Sequence, residues 1–164
     1  ATPARHTQGG ESIIPVGWDT PVPERYVYRG KGEVHKKLAC LMHVVNAAGL
    51  CMFGYASYPV SFVPDFLTAV TGLNYTLDEC YKVGERIANV RHAFNLREGI
   101  NPVSEFRVPG RVLGDPPLSA GNVAGVTVDL AAQREDYCVA MGWDPVTTRP
   151  NPDRLRELGL DFLR

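Results

Sequence analysis

Gly84-Glu85-Arg86-Ile87-Ala88-Asn89-Val90-Arg91-His92-Ala93-Phe94-Asn95-Leu96-Arg97-Glu98-Gly99 is the stretch that decides the fold class. It reads as the second half of a long helix, stopped by Gly99. The start lies upstream, where Thr76-Leu77-Asp78-Glu79 has the form of a capping box. Thr76 can accept from the N–H of Glu79, and Glu79 can reach back. The spacing predicts a helix from Leu77 to about Arg97. Cys80, Val83, Ile87, Val90 and Phe94 fall three or four apart, as one buried stripe would. Glu85, Arg86, Asn89, Arg91, Asn95, Arg97 and Glu98 then read as solvated polar faces with i, i+3 and i, i+4 pairs.

Helical signals recur on both sides. From Gly32 to Ala48, the residues Val34, Leu38, Leu41, Met42, Val45 and Ala48 keep helical spacing, and Gly49 stands at the stop. Pro64 opens a helix through about Val70, closed by Gly72. Further helices are predicted over about Thr127–Met141 and from Pro152 to Gly159, where Asn151 is the cap and Leu155 and Leu158 face inward. Residues 1–32 are rich in Pro and Gly and keep no period, so they read as an extended N-terminal segment. Residues 100–126 read as a long irregular connection. The expectation is an all-α protein of five main helices, with the helical domain over 33–164.

The bulk properties set limits. A chain of 164 residues suits one domain. Its 17 basic and 18 acidic residues give a net charge of −1, which argues against nucleic acid or an anionic membrane as partner. No apolar run reaches the ~18 residues that span a bilayer. Ala1-Thr2-Pro3-Ala4-Arg5-His6 has no apolar core of a signal peptide, and the absence of an initial Met reads as an excised piece. Four cysteines, Cys40, Cys51, Cys80 and Cys138, are far apart in sequence, with no CxxC. A self-contained zinc or iron–sulfur site and a disulfide scaffold are both disfavoured, and the compartment reads as reducing and cytoplasmic.

Candidate chemistry centres on Asn46-Ala47-Ala48-Gly49-Leu50-Cys51, a helix end running into a cysteine. A thiol just past a glycine stop sits on a loop, where it can meet an external metal. The plainer reading is a small apolar residue in an apolar turn, between Leu50 and Met52. Cys40, Cys80 and Cys138 lie on or near apolar stripes and read as core. His43 reads as a core or boundary histidine, and His35 and His92 as surface. Tyr26, Tyr28, Tyr55 and Tyr58 gather around the Pro/Gly segments and either line a cleft or pack against it. His6, near the terminus, reads from composition alone as an exposed histidine.

These segments together resemble the C-terminal part of the tungsten-containing aldehyde ferredoxin oxidoreductases. The resemblance is carried by Gly49-Leu50-Cys51 and by Glu85-Arg86-Ile87, Asn89 and Arg91 with Phe94-Asn95-Leu96-Arg97-Glu98-Gly99. It continues through Asp136-Tyr137, Met141-Gly142-Trp143-Asp144 and Arg154 to Leu160. The stretch Thr2-Pro3-Ala4-Arg5-His6-Thr7-Gln8-Gly9-Gly10 looks like a segment of one branch of the family. The resemblance implies that Cys51 is the fourth ligand of a 4Fe-4S cluster. It implies that Asn46, Ala47, Gly49 and Leu50 lie against a tungsten (or molybdenum) bis-pterin, and that His6 faces the substrate carbonyl, where imidazole can donate a hydrogen bond or shuttle a proton. Asn46 departs from the family, which usually has Asp there; Asn keeps an acceptor oxygen and loses the charge.

The implied activity is oxidation of a small aldehyde to a carboxylic acid, with ferredoxin as electron acceptor. The three other cluster cysteines and the N-terminal pterin-binding domains would be partners on the same polypeptide. The chain alone is therefore expected to be inactive and to bind no cluster stoichiometrically. An apolar patch left for those domains would favour a homo-oligomer. Two other readings stand beside this one. One is a non-catalytic helical interaction module derived from the same region. The other is a small whole enzyme using His6 or His43 with a cysteine nucleophile, for which no local signature exists.

Overall fold

The fold is that of a computed structural model, which describes residues 14–18 and 20–163. Among the described residues it is all-α. The helices are α1 (Gly32–Ala47), α2 (Met52–Tyr55), α3 (Phe62–Thr71), α4 (Leu77–Arg97), α5 (Pro102–Glu105), α6 (Gly110–Leu113), α7 (Leu130–Met141) and α8 (Pro152–Glu157), followed by a 3₁₀ turn at Asp161–Leu163. Only isolated bridges, Val16 with Pro59 and Trp143 with Pro150, interrupt the helical pattern among these residues. No helix is long and apolar enough to cross a membrane.

Local sequence explains most helix ends. Thr76 caps α4 by accepting from the Glu79 N–H at 3.2 Å, while the Glu79 carboxylate pairs with Lys82. Asn151 caps α8 through the Asp153 N–H at 2.8 Å. α7 begins at Leu130 rather than near Thr127, because Asp129 is its cap and accepts from the Ala132 N–H. α3 starts at Phe62, two residues before Pro64, whose ring is buried. A proline is tolerated there because first-turn N–H groups have no intrahelical partner. The connection over 100–126 is not wholly irregular: α5 and α6 each contribute four residues of helix.

α1 is the centre of the molecule. Every residue from Leu38 to Val45 is buried, so this helix is covered around its whole circumference and not along one face. α4 and α7 flank it, and backbone meets backbone at both contacts. A β-carbon on Gly84 would lie 2.0 Å from the Cys40 carbonyl oxygen. A β-carbon on Gly32 would lie 2.2 Å from the Asp136 carbonyl oxygen, and the Gly32 N–H donates to the Asp136 carboxylate at 2.5 Å.

This close approach turns α4 relative to the expected stripe. Its inward face is Cys80, Gly84, Glu85, Ala88, Asn89 and His92. Val90 is 39% and Phe94 53% exposed, so the stripe through Ile87, Val90 and Phe94 is not the buried one. Glu85, Asn89 and His92, read as solvated from the sequence, are within the protein. Each then needs a partner, since an unpaired buried charge or dipole is costly. Arg154 from α8 grips Glu85 as a fork, Nε to Oε1 at 2.8 Å and Nη2 to Oε2 at 2.7 Å. Lys36 of α1 lies 3.5 Å from the same carboxylate and donates to the Ala140 carbonyl. Asn89 accepts from the Trp143 indole at 2.8 Å and donates to the Glu85 carbonyl.

His92 stacks on Trp143 with centroids 3.9 Å apart, and its Nε2 lies 2.8 Å from the Thr148 carbonyl oxygen. That contact places the proton on Nε2. His43 is also buried, and its Nδ1 lies 3.4 Å from an Arg91 nitrogen. Burial and the Arg91 charge push the His43 imidazole down to about 4. Burial lowers His92 as well, against the raising effect of its bond to Thr148.

Two outcomes follow from this packing. Gly84→Ala gains up to about 1 kcal/mol of helix propensity, but must push the α1 and α4 backbones apart at a cost of about 3 kcal/mol or more. Urea denaturation should show a net loss; unchanged stability would contradict the Cys40 contact. Both histidines have lowered folded-state values, so their contribution is full above the unfolded value near about pH 6.5 and is lost as pH falls, for His43 toward about 4. The thermal midpoint should drop across that window, and His43→Gln should flatten the drop.

Candidate functional site

The segment Asn46–Cys51 is shaped by the way α1 ends. The Gly49 N–H donates to the Asn46 carbonyl at 3.3 Å and the Leu50 N–H to the Val45 carbonyl at 3.0 Å. This is a Schellman closure, and it requires a left-handed residue at Gly49, where φ is +71°. Leu50 folds back onto the core cluster that holds Val45. Cys51 follows in extended conformation, and its carbonyl accepts from the Tyr55 N–H at 2.8 Å, the first bond of α2. The cysteine is thus fixed by backbone hydrogen bonds on both sides.

The four thiols divide cleanly. Cys40, Cys80 and Cys138 are buried, and Cys51 is exposed. Burial, assisted by Glu85, pushes the Cys40 thiol up to about 12, and burial pushes Cys80 to about 11 and raises Cys138. Those three are inert at neutral pH.

Cys51 stands at the edge of a cavity of about 220 Å³ that also meets Leu50, Gly54, Tyr55, Tyr58 and Phe66. Its wall is an aromatic cluster: Tyr58, Phe62 and Phe66 have ring centroids between 5.6 and 6.2 Å apart. Gly54 leaves room between Cys51 and the Tyr58 ring. Of the four tyrosines expected near a cleft, Tyr55 and Tyr58 line this one. Tyr28 instead donates to the Thr127 carbonyl, and Tyr26 is exposed beneath Arg25.

Asn46 is exposed in the last turn of α1. Its amide nitrogen donates back to the Met42 carbonyl at 2.8 Å, which leaves the side-chain oxygen as an acceptor. Ala47 and Gly49 are exposed beside it and Leu50 is half-buried. His6 lies outside the described residues. Among the described residues no three of His, Cys, Asp or Glu gather into a metal-binding group. Any multi-thiolate site involving Cys51 must draw its other ligands from beyond them.

A second polar constellation escapes sequence reading: Asn89, His92, Trp143 and Thr148, which meet across separations of more than fifty residues. The turn that carries Thr148 has one local signal. Asp144 accepts from the Val146 and Thr147 N–H groups and from the Thr147 hydroxyl, forming a tight loop. These bonds hold the Asp144 carboxyl below the usual carboxylate range.

Comparison with known proteins identifies the family. Residues 1–160 match the family described as aldehyde ferredoxin oxidoreductase, domains 2 and 3. The tungsten-containing aldehyde ferredoxin oxidoreductase of Pyrococcus horikoshii is 35% identical over 121 residues, 74% of this chain and 20% of that protein. Those of Pyrococcus furiosus and Thermococcus kodakarensis are each 32% identical, over 73% and 75% of this chain and 20% of the relative. The chain spans about a fifth of the length of these curated relatives. With a match over nearly its whole length, the chain belongs to the aldehyde ferredoxin oxidoreductase family, of which it carries C-terminal sequence.

Proposed function

We propose that this chain forms one portion of an oxidoreductase that converts an aldehyde and water to a carboxylic acid, releasing two protons and two electrons. Ferredoxin is the acceptor in this reading. The observation that carries it is the placement of Cys51. One thiol of four is exposed, held rigidly past a helix end, at the mouth of an apolar cavity. That is the environment a shared cluster ligand requires: a fixed sulfur and a wall that excludes water.

In this reading Cys51 supplies one thiolate to a 4Fe-4S cluster, and three come from elsewhere in the polypeptide. Asn46, Ala47, Gly49 and Leu50 form the surface that meets a tungsten or molybdenum bis-pterin. When bound, that group accepts the electron pair from the substrate. Asn46 Oδ1 accepts a hydrogen bond from a ring N–H, a role that does not need the charge of the usual Asp. His6 donates to the substrate oxygen and moves a proton near neutral pH. The connection over 100–126 shapes the access route or the seam with the further domains. Exposed Phe53, Phe62, Phe66, Val70 and Leu73 around α2 and α3 support the seating of further polypeptide there. The same residues are what a docking module descended from this region would use; that reading fails if the full reading frame encodes the pterin and cysteine motifs.

In the full-length protein, Cys51→Ala should remove most of the iron and the paramagnetic signal of the dithionite-reduced cluster, while Cys138→Ala should leave both. Retention of the signal in Cys51→Ala would sink the assignment. The isolated 164-residue chain should be colourless and inactive toward aldehydes; a stoichiometric brown chromophore would argue otherwise. Asn46→Asp restores the family residue, yet it loses the bond to Met42 and puts a negative charge in a last turn that has no basic residue. It should lower chain stability by about 0.5–1 kcal/mol, read from the urea midpoint.

A further inference from the structure

A second cavity lies away from the Cys51 mouth, between α1, α4, α7 and the loop from Trp143 to Pro150. Its volume is about 210 Å³, below the ~300 Å³ at which pockets begin to hold drug-sized molecules. We infer that it is a binding site for a small organic carboxylate with an apolar, ring-sized body. The cluster chemistry proposed above plays no role in the argument, although such acids are the product class of that reaction.

Thr148 is the central observation. It is 2% exposed and its hydroxyl has no hydrogen-bond partner among the described residues. It also holds φ at +58°, a left-handed conformation that a β-branched residue adopts only under constraint. The constraint is visible: its N–H donates to the Asp144 carbonyl at 2.7 Å, and its carbonyl lies against His92 Nε2. The backbone of Thr148 is therefore fully used and the side chain is idle. Glycine would relieve the strain and valine would remove the unsatisfied hydroxyl. A residue that is costly on both counts, in the wall of a cavity, is suited to a ligand.

The rest of the wall states what that ligand is. His43 lines the cavity and takes a hydrogen from Arg91 on Nδ1, so its own proton sits on Nε2 and the ring offers a donor. Arg134 lines it as well, with no ion pair or hydrogen bond among the described residues. No Asp or Glu is among the described lining residues. Donors and one cation without a competing anion select an acceptor that is negatively charged. Trp143, Tyr137 and Phe106 supply aromatic walls, which a bare inorganic anion would leave unused. A carboxylate on a compact apolar body uses both kinds of surface.

The test is a titration of the ¹⁵N-labelled chain with benzoate, followed at the Trp143 indole N–H. Benzyl alcohol and inorganic phosphate serve as uncharged and non-aromatic probes. Benzoate should give saturable shifts, with either probe at least about ten-fold weaker. Thr148→Val should weaken benzoate about ten-fold or more, the ratio that a hydrogen bond to a charged group is worth. Because valine removes an unsatisfied hydroxyl, this variant should melt no lower than the parent. Arg134→Gln, at an exposed position, should weaken benzoate similarly and covers the case in which Thr148→Val does not fold. No saturation up to about 10 mM, or equal affinity in a folded variant, would overturn the site. Phosphate binding as tightly as benzoate would overturn the carboxylate assignment, and benzyl alcohol doing so would overturn the charge argument.

Discussion

The contact on which the structure depends is the one between the Cys40 carbonyl and Gly84, where α1 and α4 touch without an intervening side chain. Helices that approach this closely cannot interpose large apolar residues at the crossing. The inward face of α4 is accordingly small or polar there, and Glu85 is carried inside with it. A carboxylate in that position has to be met. Arg154 and Lys36 meet it, and in doing so they tie α8 and α1 to one point on α4. A single missing β-carbon thus fixes which residues are buried, which charges are paired and where the C-terminal helix docks. The pairing is not a source of large net stability, since desolvation offsets much of the attraction. Its consequence is position: the fork on Glu85 adds a polar anchor to the apolar docking of α8 through the buried Leu155 and Leu158.

Helix ends are legible in this sequence because their causes are local. Thr76, Asn151, Gly49 and Gly99 each act on backbone groups within five residues, and each stands where the chain turns. Asp129 is the same kind of signal, three residues into a segment that the apolar pattern alone extends to Thr127. Helix faces are less legible. Counting apolar residues selects Val83, Ile87, Val90 and Phe94 as the inner stripe of α4, and that count is internally consistent. It fails because burial there is decided by how near α1 can come, a property of residue 84 and its partner forty-four positions away. The middle of α1 fails in the opposite sense: a periodic face is real, but neighbours cover the other side too.

The two constellations differ in the same way. Gly49-Leu50-Cys51 is contiguous, and its geometry is a helix closure that any reader of caps can expect. Exposure of Cys51, against the burial of the other three thiols, follows from its standing beyond that closure. His92, Asn89, Trp143 and Thr148 come together only because α4 and α7 both pack on α1, and through the turn after α7. Nothing within a few residues of His92 distinguishes it from a surface histidine. The Asp144 turn marks a loop, but its neighbours in sequence do not show that Thr148 is enclosed.

A ligand shared between separate regions of a protein is useful only if it arrives already in place. A thiol on a free loop would lose conformational entropy when captured, on the order of 1–2 kcal/mol for each backbone residue ordered. In the role proposed for it, Cys51 avoids most of that loss. Leu50, on one side, is bonded to the Val45 carbonyl and packed on the core, and on the other side the Cys51 carbonyl starts α2. The sulfur is exposed, yet its backbone is held by the same hydrogen bonds that end one helix and begin the next. Asn46 shows the complementary economy. Its amide satisfies a carbonyl of its own helix, so the side-chain oxygen is left as an acceptor while the helix end stays free of a negative charge. Both residues are prepared by α1, and α1 is held where it is by the contact at Gly84. The rigidity of the exposed turn therefore originates in the interior.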